Sequence, residues 1–282
     1  MFVGSENFGR SYRLMIGPAG GSGFETSELH IAFSLEKTDL ETSNTARLDI
    51  WNLNDEHKAM LKMKDCAVAL HAGYGSRMPL VFAGGVSFVS TNMDGTDKKT
   101  TVEVEDGLIA TKDTYVSLSY EGKVNSKTIL DDVAGQMGVA VTYSYNAEFS
   151  DIPNGYSFVG MAKDVLSVIC KTSNLSWSIQ NGVLQIKKPG DVMSQEVFVL
   201  SEETGMIGFP QEITVTADDD SGKDVEGWDV EFLMNAAIGV DDYVYLKSKV
   251  VTGYFRVYSI EIEGDTDGST WQCTARLLEV GK

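Results

Sequence analysis

Histidine, cysteine and proline are all scarce in this chain, at three, three and five of 282 residues. His30, His57 and His71 stand apart, with no HxH, HExxH or Cys/His grouping, which excludes the common zinc-centre patterns. Cys66, Cys170 and Cys273 are widely separated and odd in number, each in an apolar strand or helix context. They read as buried reduced thiols, which excludes a disulfide framework and suits synthesis in a reducing cytoplasm. No apolar run approaches the roughly 20 residues that span a bilayer, so no membrane segment is expected. The opening residues Met1-Phe-Val-Gly-Ser-Glu-Asn lack the basic and apolar regions of a signal peptide. Positive charge is short as well: 23 Lys+Arg face 41 Asp+Glu, a formal net charge of −18. Such a surface repels phosphate, so specific nucleic-acid binding is not expected.

Catalytic patterns are missing too. Asp218-Asp-Asp-Ser-Gly-Lys-Asp-Val-Glu226 packs five carboxylates into nine residues, but an EF-hand loop beginning at Asp218 would need Gly and Glu where Lys223 and Asp229 stand. The segment reads as a solvated loop. Gly17-Pro-Ala-Gly-Gly-Ser-Gly23 has no GK[ST] continuation and no following helix; it reads as a flexible excursion between strands. Asp131-Asp132 reads as an exposed helix face, without the second converging acid that a glycosidase needs. His30 falls on the polar phase of its strand, His57 in the first turn of a helix, and His71 at a strand end. The expectation is no catalytic residue, no cofactor and no metal site, and hence no enzyme.

What the chain has is alternation. Leu29, Ile31, Phe33 and Leu35 alternate with polar residues, and Ala46, Leu48 and Ile50 resume the pattern after a bend, which predicts two half-buried antiparallel strands. Asn54 is placed to cap a short helix over Asp55–Met63, with Asp55 and Glu56 in its first turn. Further strands are expected at Tyr12–Ile16, Cys66–Tyr74, Leu80–Met93 and Lys99–Asp106, the last two joined by a type I′ turn at Asp94-Gly95. The spacing changes after about Gly107. Tyr115–Tyr120 reads as a strand, Ser126 as the cap of a helix ending at Gly138, and 162–173 as a second helix. An Asn181-Gly182 hairpin follows. From 191 onward β patterns return at Glu212–Thr216, Trp228–Leu233, Tyr243–Lys247, Gly253–Glu263 and Thr270–Val280, with a turn at Asp265-Thr-Asp-Gly268. Tyr243, Tyr245, Tyr254 and Tyr258 alternate onto one face, read as core packing with a subunit interface as the alternative. Residues 191–282 hold 19 Asp+Glu against 6 Lys+Arg, a net of −13, while 1–190 carry only −5.

Three segments resemble one family. The strand–bend–strand unit ending Trp51-Asn-Leu53 before a short helix resembles the N-terminal barrel of baseplate hub proteins of contractile-tailed bacteriophages, relatives of tail-tube subunits. Gly160, Ala162, Leu166, Ile169 and Cys170, followed by Leu175, Trp177, Ile179, Asn181-Gly182 and Leu184, are similar to that family's middle domain. Gly239 to Val244 and then Gly253-Tyr-Phe-Arg-Val257 are similar to its closing barrel, with Val240 as a one-residue departure before Asp241. The fold expected is mainly β with an α+β middle module: two tail-tube-like antiparallel β-barrels at 1–107 and 191–282 around an α+β domain at 108–190. The resemblance implies a structural virion protein of the phage tail baseplate, synthesised in the host cytoplasm. It would be a homotrimeric hub joining a six-fold tail tube to a three-fold central spike and forming part of the DNA channel. The implied partners are the tail tube or tube-end protein, the central spike protein and the tape measure protein. The alternatives are a tail-associated cell-wall-degrading enzyme and a hub or spike component of a related contractile secretion system; the end at Lys282 favours a spike on a separate chain. The carboxylates of 191–282 either serve solubility alone or line the lumen of the ring.

Overall fold

A computed structural model describes residues 8–18, 21–108, 114–216 and 224–280. The first β region runs β1 (Arg10–Pro18), β2 (Phe24–Thr26), β3 (Ile31–Thr38), β4 (Thr45–Trp51), α1 (Asp55–Leu61), β5 (Cys66–Tyr74), β6 (Leu80–Asp94) and β7 (Asp97–Glu105). The middle region holds β8 (Tyr115–Tyr120), β9 (Val124–Asn125), α2 (Ser126–Met137), β10 (Ala140–Tyr143), β11 (Asp151–Ile152), β12 (Tyr156–Met161), α3 (Ala162–Thr172), β13 (Ser176–Gln180) and β14 (Val183–Lys187). The last comprises β15 (Val197–Ser201), β16 (Met206–Thr216), β17 (Asp224–Leu233), β18 (Tyr243–Lys247), β19 (Thr252–Asp265) and β20 (Trp271–Glu279). The chain is mainly β with an α+β middle, as the spacing indicates.

Alternation sets the inward faces. Ile31, Phe33 and Leu35 of β3, Leu48 and Ile50 of β4, and Val102 and Val104 of β7 are buried together with Val230, Phe232, Ile260, Ile262 and Leu277 of the last region. That core is common to both β regions because they form one 13-stranded sheet. The joint is an antiparallel pairing of β3 with β19, from Thr38 opposite Ser259 to Ala32 opposite Asp265. The middle region keeps its own core, in which Ile129, Leu130 and Val133 of α2 meet Val165, Leu166 and Ile169 of α3 over Trp177, Leu184 and Ile186.

One strand order occurs twice. The first half reads β3-β4-β7-β6-β5-β1 across the sheet, and the second reads β16-β17-β20-β19-β18-β15. Each half is thus a first strand, a hairpin and three further strands in the same chain order. The bulges coincide as well: β6 skips Ser87 opposite Val104/Glu103, and β19 skips Tyr258 opposite Leu277/Arg276. The first strands differ, since β1 is antiparallel to β5 whereas β15 is parallel to β18.

Several local expectations shift. Asn54 does cap α1, accepting from His57 N at 2.8 Å, and the helix ends at Leu61. The cap of α2 is Asn125 rather than Ser126; Ser126 is the first helical residue, and its Oγ accepts from Ser150 N at 3.0 Å. The β6–β7 turn centres on Gly95-Thr96 and only Gly95 has positive φ, the mark of a type II′ rather than a type I′ turn. Asn181 and Gly182 both have positive φ (53° and 78°), which is type I′. Gly17 and Gly23 are drawn together by the β1–β2 pairing, so closely that a Cβ on Gly17 would lie 2.7 Å from Gly23 Cα. Gly17 and Gly23 form the neck of a hairpin, and residues 19 and 20 between them lie outside the described residues.

Candidate functional site

Two features stand out: a charged junction where the three regions meet, and an acidic face on the shared sheet. At the junction Lys187 ends β14, Asp39 follows β3, Arg256 lies on β19 and Asp241 precedes β18. Lys187 Nζ donates to Asp39 Oδ2 (3.1 Å) and to Asp241 Oδ1. Arg256 Nη1 donates to the same two oxygens at 2.7 Å each. The side chains of Lys187 and Asp241 are 2% and 0% exposed. Burial disfavours the charge on Asp39, but Lys187 and Arg256 outweigh it and hold this carboxyl below its ordinary range. Asp241 lies deeper, and there burial wins and raises it. Arg256 Nε and Asp241 Oδ2 are buried with no hydrogen-bond partner among the described residues.

Beside it the β13–β14 turn is gripped by the first β region. Asp106, fully buried, accepts from Asn181 N and from Gly182 N (2.8 Å), and burial raises it to about 6. Lys37 Nζ donates to Asn181 Oδ1 at 3.1 Å and is lowered by burial to about 8. Asn44 Nδ2 donates to Gln180 Oε1 (3.0 Å), and Gln180 Nε2 donates to Thr38 O (2.8 Å). Asp106 is held by the turn's backbone amides and Lys37 by the Asn181 side chain; what the arrangement can do is hold the middle region against the sheet.

On the side of the sheet away from the core, β3 presents Glu36, β19 presents Glu261 and Glu263, and β17 presents Asp229 and Glu231. Glu36 and Glu261 are directly opposite each other. Burial, then Glu263 and Glu36, raise the Glu261 carboxyl. Like charges directly opposite cost stability, and Arg276 of β20, directly opposite Asp229 and acting to lower Glu261, offsets part of that repulsion.

The residues examined in the sequence are dispersed. His30 Nε2 meets Asp265 Oδ1 at 2.9 Å and its ring stacks on Trp51 at 3.9 Å. His57 stacks on Phe24 at 3.6 Å. His71 lies inside β5 rather than at its end, 3.2 Å from Met78 O. Asp131 and Asp132 are not a bare helix face: Tyr143 OH donates to the first and Tyr120 OH to the second, both at 2.6 Å. Cys66, Cys170 and Cys273 are buried and free, and burial pushes Cys170 and Cys273 up to about 12. Tyr243 and Tyr245 flank Tyr254, with ring centroids 5.4 and 4.8 Å away. They pack outside the sheet, because the inward phase of β18 and β19 belongs to Val244, Leu246 and Phe255. Among the described residues no group of three or more His, Cys, Asp and Glu is arranged for a metal ion. Of the carboxylate run, residues 218–223 lie outside the described residues. The junction itself was missed in the sequence, since Asp39, Lys187, Asp241 and Arg256 are far apart and each looks like a surface charge. Lys187 follows inward-facing Ile186 and so falls on the outward phase of β14, which offers no sign of burial; only apolar Val240 before Asp241 carried a weak one.

No family model matches the sequence, and no curated protein matches it. Solved structures do. A tail protein from Neisseria meningitidis MC58 aligns over 97% of this chain and 98% of its own, with 11% identity and a TM-score of 0.64. The chain has the fold of phage tail proteins. The 43 kDa tail protein of prophage MuSo2 from Shewanella oneidensis aligns over 95% of this chain and 97% of its own at 10% identity, TM-score 0.64. An E. coli protein described as a component of the type VI secretion system, similar to the T4 tail proteins gp27 and gp5, aligns over 95% of this chain and 77% of its own at 9% identity, TM-score 0.60. The tail-protein fold therefore extends over both β regions and the middle region together.

Proposed function

We propose that this chain is a structural, non-enzymatic subunit of a phage tail baseplate hub. Three copies form a ring between a six-fold tail tube and a three-fold central spike, and the ring's opening is part of the DNA channel. The observation that carries this reading is the end-to-end likeness to tail proteins, over 97% of this chain and 98% of the Neisseria protein. The doubled strand order agrees with it, since three chains with two similar halves offer six related positions to the tube. The tube or tube-end protein, the spike and the tape measure protein are the partners of such a ring, which assembles in the host cytoplasm and ends in the virion.

A second reading, the equivalent hub of a contractile secretion system, is favoured by the likeness to the type VI component. Antibody labelling of tail tips on phage particles separates the two. Mass measurement of the purified protein tests the hub itself. Three chains of 30.7 kDa give about 92 kDa, and that mass is expected. A strict monomer at micromolar concentration that cleaves peptidoglycan would overturn it in favour of a tail enzyme.

A further inference from the structure

The duplication assigns an interface that a single chain leaves open. Matching the halves strand for strand places β16 where β3 is, and β6 where β19 is. Within the chain β3 and β19 pair antiparallel. Among the described residues their counterparts are not paired with each other: β16 pairs only with β17, and the stretch of β6 after its bulge pairs only with β7. We propose that β16 of one copy pairs antiparallel with residues 88–94 of β6 in the next copy, repeating between chains the β3–β19 joint found within each chain. The proposal rests on the hub reading for the size of the ring and adds the surfaces and register that close it.

The register follows from the two bulges. Ser259, the first residue after the bulge of β19, corresponds to Phe88 of β6. Alignment through β17 and β4 makes Gln211 the counterpart of Ser34 and Ile213 that of Glu36. Because Glu36 faces Glu261 within the chain, Ile213 faces the next copy's Ser90, and Gln211 faces its Asn92. The side-chain phases agree. Phe88 lies opposite Glu103 and Gln211 opposite Asp229, all on the side away from the core, so the joined sheets keep one continuous face.

Surface chemistry points the same way without using the duplication. Phe88, Met93 and Phe209 are 51%, 64% and 62% exposed, and all three lie on these two open edges. An edge strand that displays apolar side chains is a template for another strand, and folded monomers normally blunt such edges. Pro210 on β16 accords with an edge position but does not blunt the strand beyond it. The contact uses different patches on the two partners, so it runs head to tail and closes into a ring when the rotation allows.

Paired cysteines test the register. In Ser90→Cys with Ile213→Cys the two thiols belong to different copies and sit within cross-strand distance. Mild oxidation is expected to give a covalent trimer ladder on non-reducing gels, while each single variant gives none. Charge on the exposed edges tests the surfaces: Phe88→Glu and Phe209→Glu should each weaken assembly tenfold or more by sedimentation. Mixing the two variants leaves one intact edge of each kind, and a one-to-one dimer that grows no further is expected. A stable trimer that neither cross-links nor responds to either charge overturns the edge pairing and leaves the hub reading standing. A chain that remains monomeric at every concentration overturns both.

Discussion

At the residue scale the junction shows how little a local reading reveals of buried charge. Lys187 is followed by Lys188, and the pair looks like a solvated strand end. In the fold Lys187 is enclosed by Asp39 and Asp241, and Lys188 by contrast keeps its place at the margin. Two ions taken out of water regain their hydration only through their partners, so removing one partner costs far more than the pair contributes. Lys187→Met keeps most of the buried volume but leaves Arg256 alone with two carboxylates. The expected loss is about 3–5 kcal/mol in urea unfolding. Because the cluster ties the middle core to the shared sheet, its loss should also split a single calorimetric transition into two. A loss under about 1 kcal/mol with one transition would show that the cluster neither stabilises nor couples the regions.

At the element scale strands and helices were largely legible, because alternation, caps and glycines act over a few residues. The shared β3–β19 joint was not legible, since its partners lie more than 200 residues apart and nothing in either strand marks an edge that pairs. Ser126 reads as a cap because serine is a good one; Asn125 holds the place because its side-chain Oδ1 accepts from Lys127 N at 3.0 Å. The Asn181-Gly182 turn was legible as a hairpin but not as a latch, which depends on Asp106 receiving both turn amides. That role can be separated from simple turn strain. Gly182→Val and Gly122→Val both force a β-branched residue to a positive φ (78° and 69°) with open space around the Cβ. Each should cost on the order of 1–2 kcal/mol. Only the first should raise amide exchange in the β3–β4 bend that grips the turn. Equal exchange in the two variants would mean that the turn does not hold the middle region in place.

At the scale of the whole molecule the acidic face acquires a purpose only in an assembly. Residues 191–282 carry −13 of the −18 net charge, and the fold adds Glu36 from the other half directly opposite Glu261. If the proposed ring turns this face of the sheet toward its axis, the carboxylates line the channel. Duplex DNA presents about one negative charge per 1.7 Å, so a carboxylate wall centres it by repulsion and offers no site at which phosphates could rest. A lysine wall would act oppositely, releasing counterions on contact and holding the duplex still. The measurement is made on the assembled ring with Glu36→Lys, Glu261→Lys and Glu263→Lys combined. The unaltered ring should not retain duplex DNA at physiological salt. The triple variant should retain it, with an affinity that falls steeply as salt rises, and phage carrying it should eject their genomes more slowly. The three positions lie on the sheet's outer side, away from the core, and circular dichroism with sedimentation of the variant checks that it folds and assembles. If the variant ring binds DNA no better than the original, the acidic face looks outward and serves solubility alone.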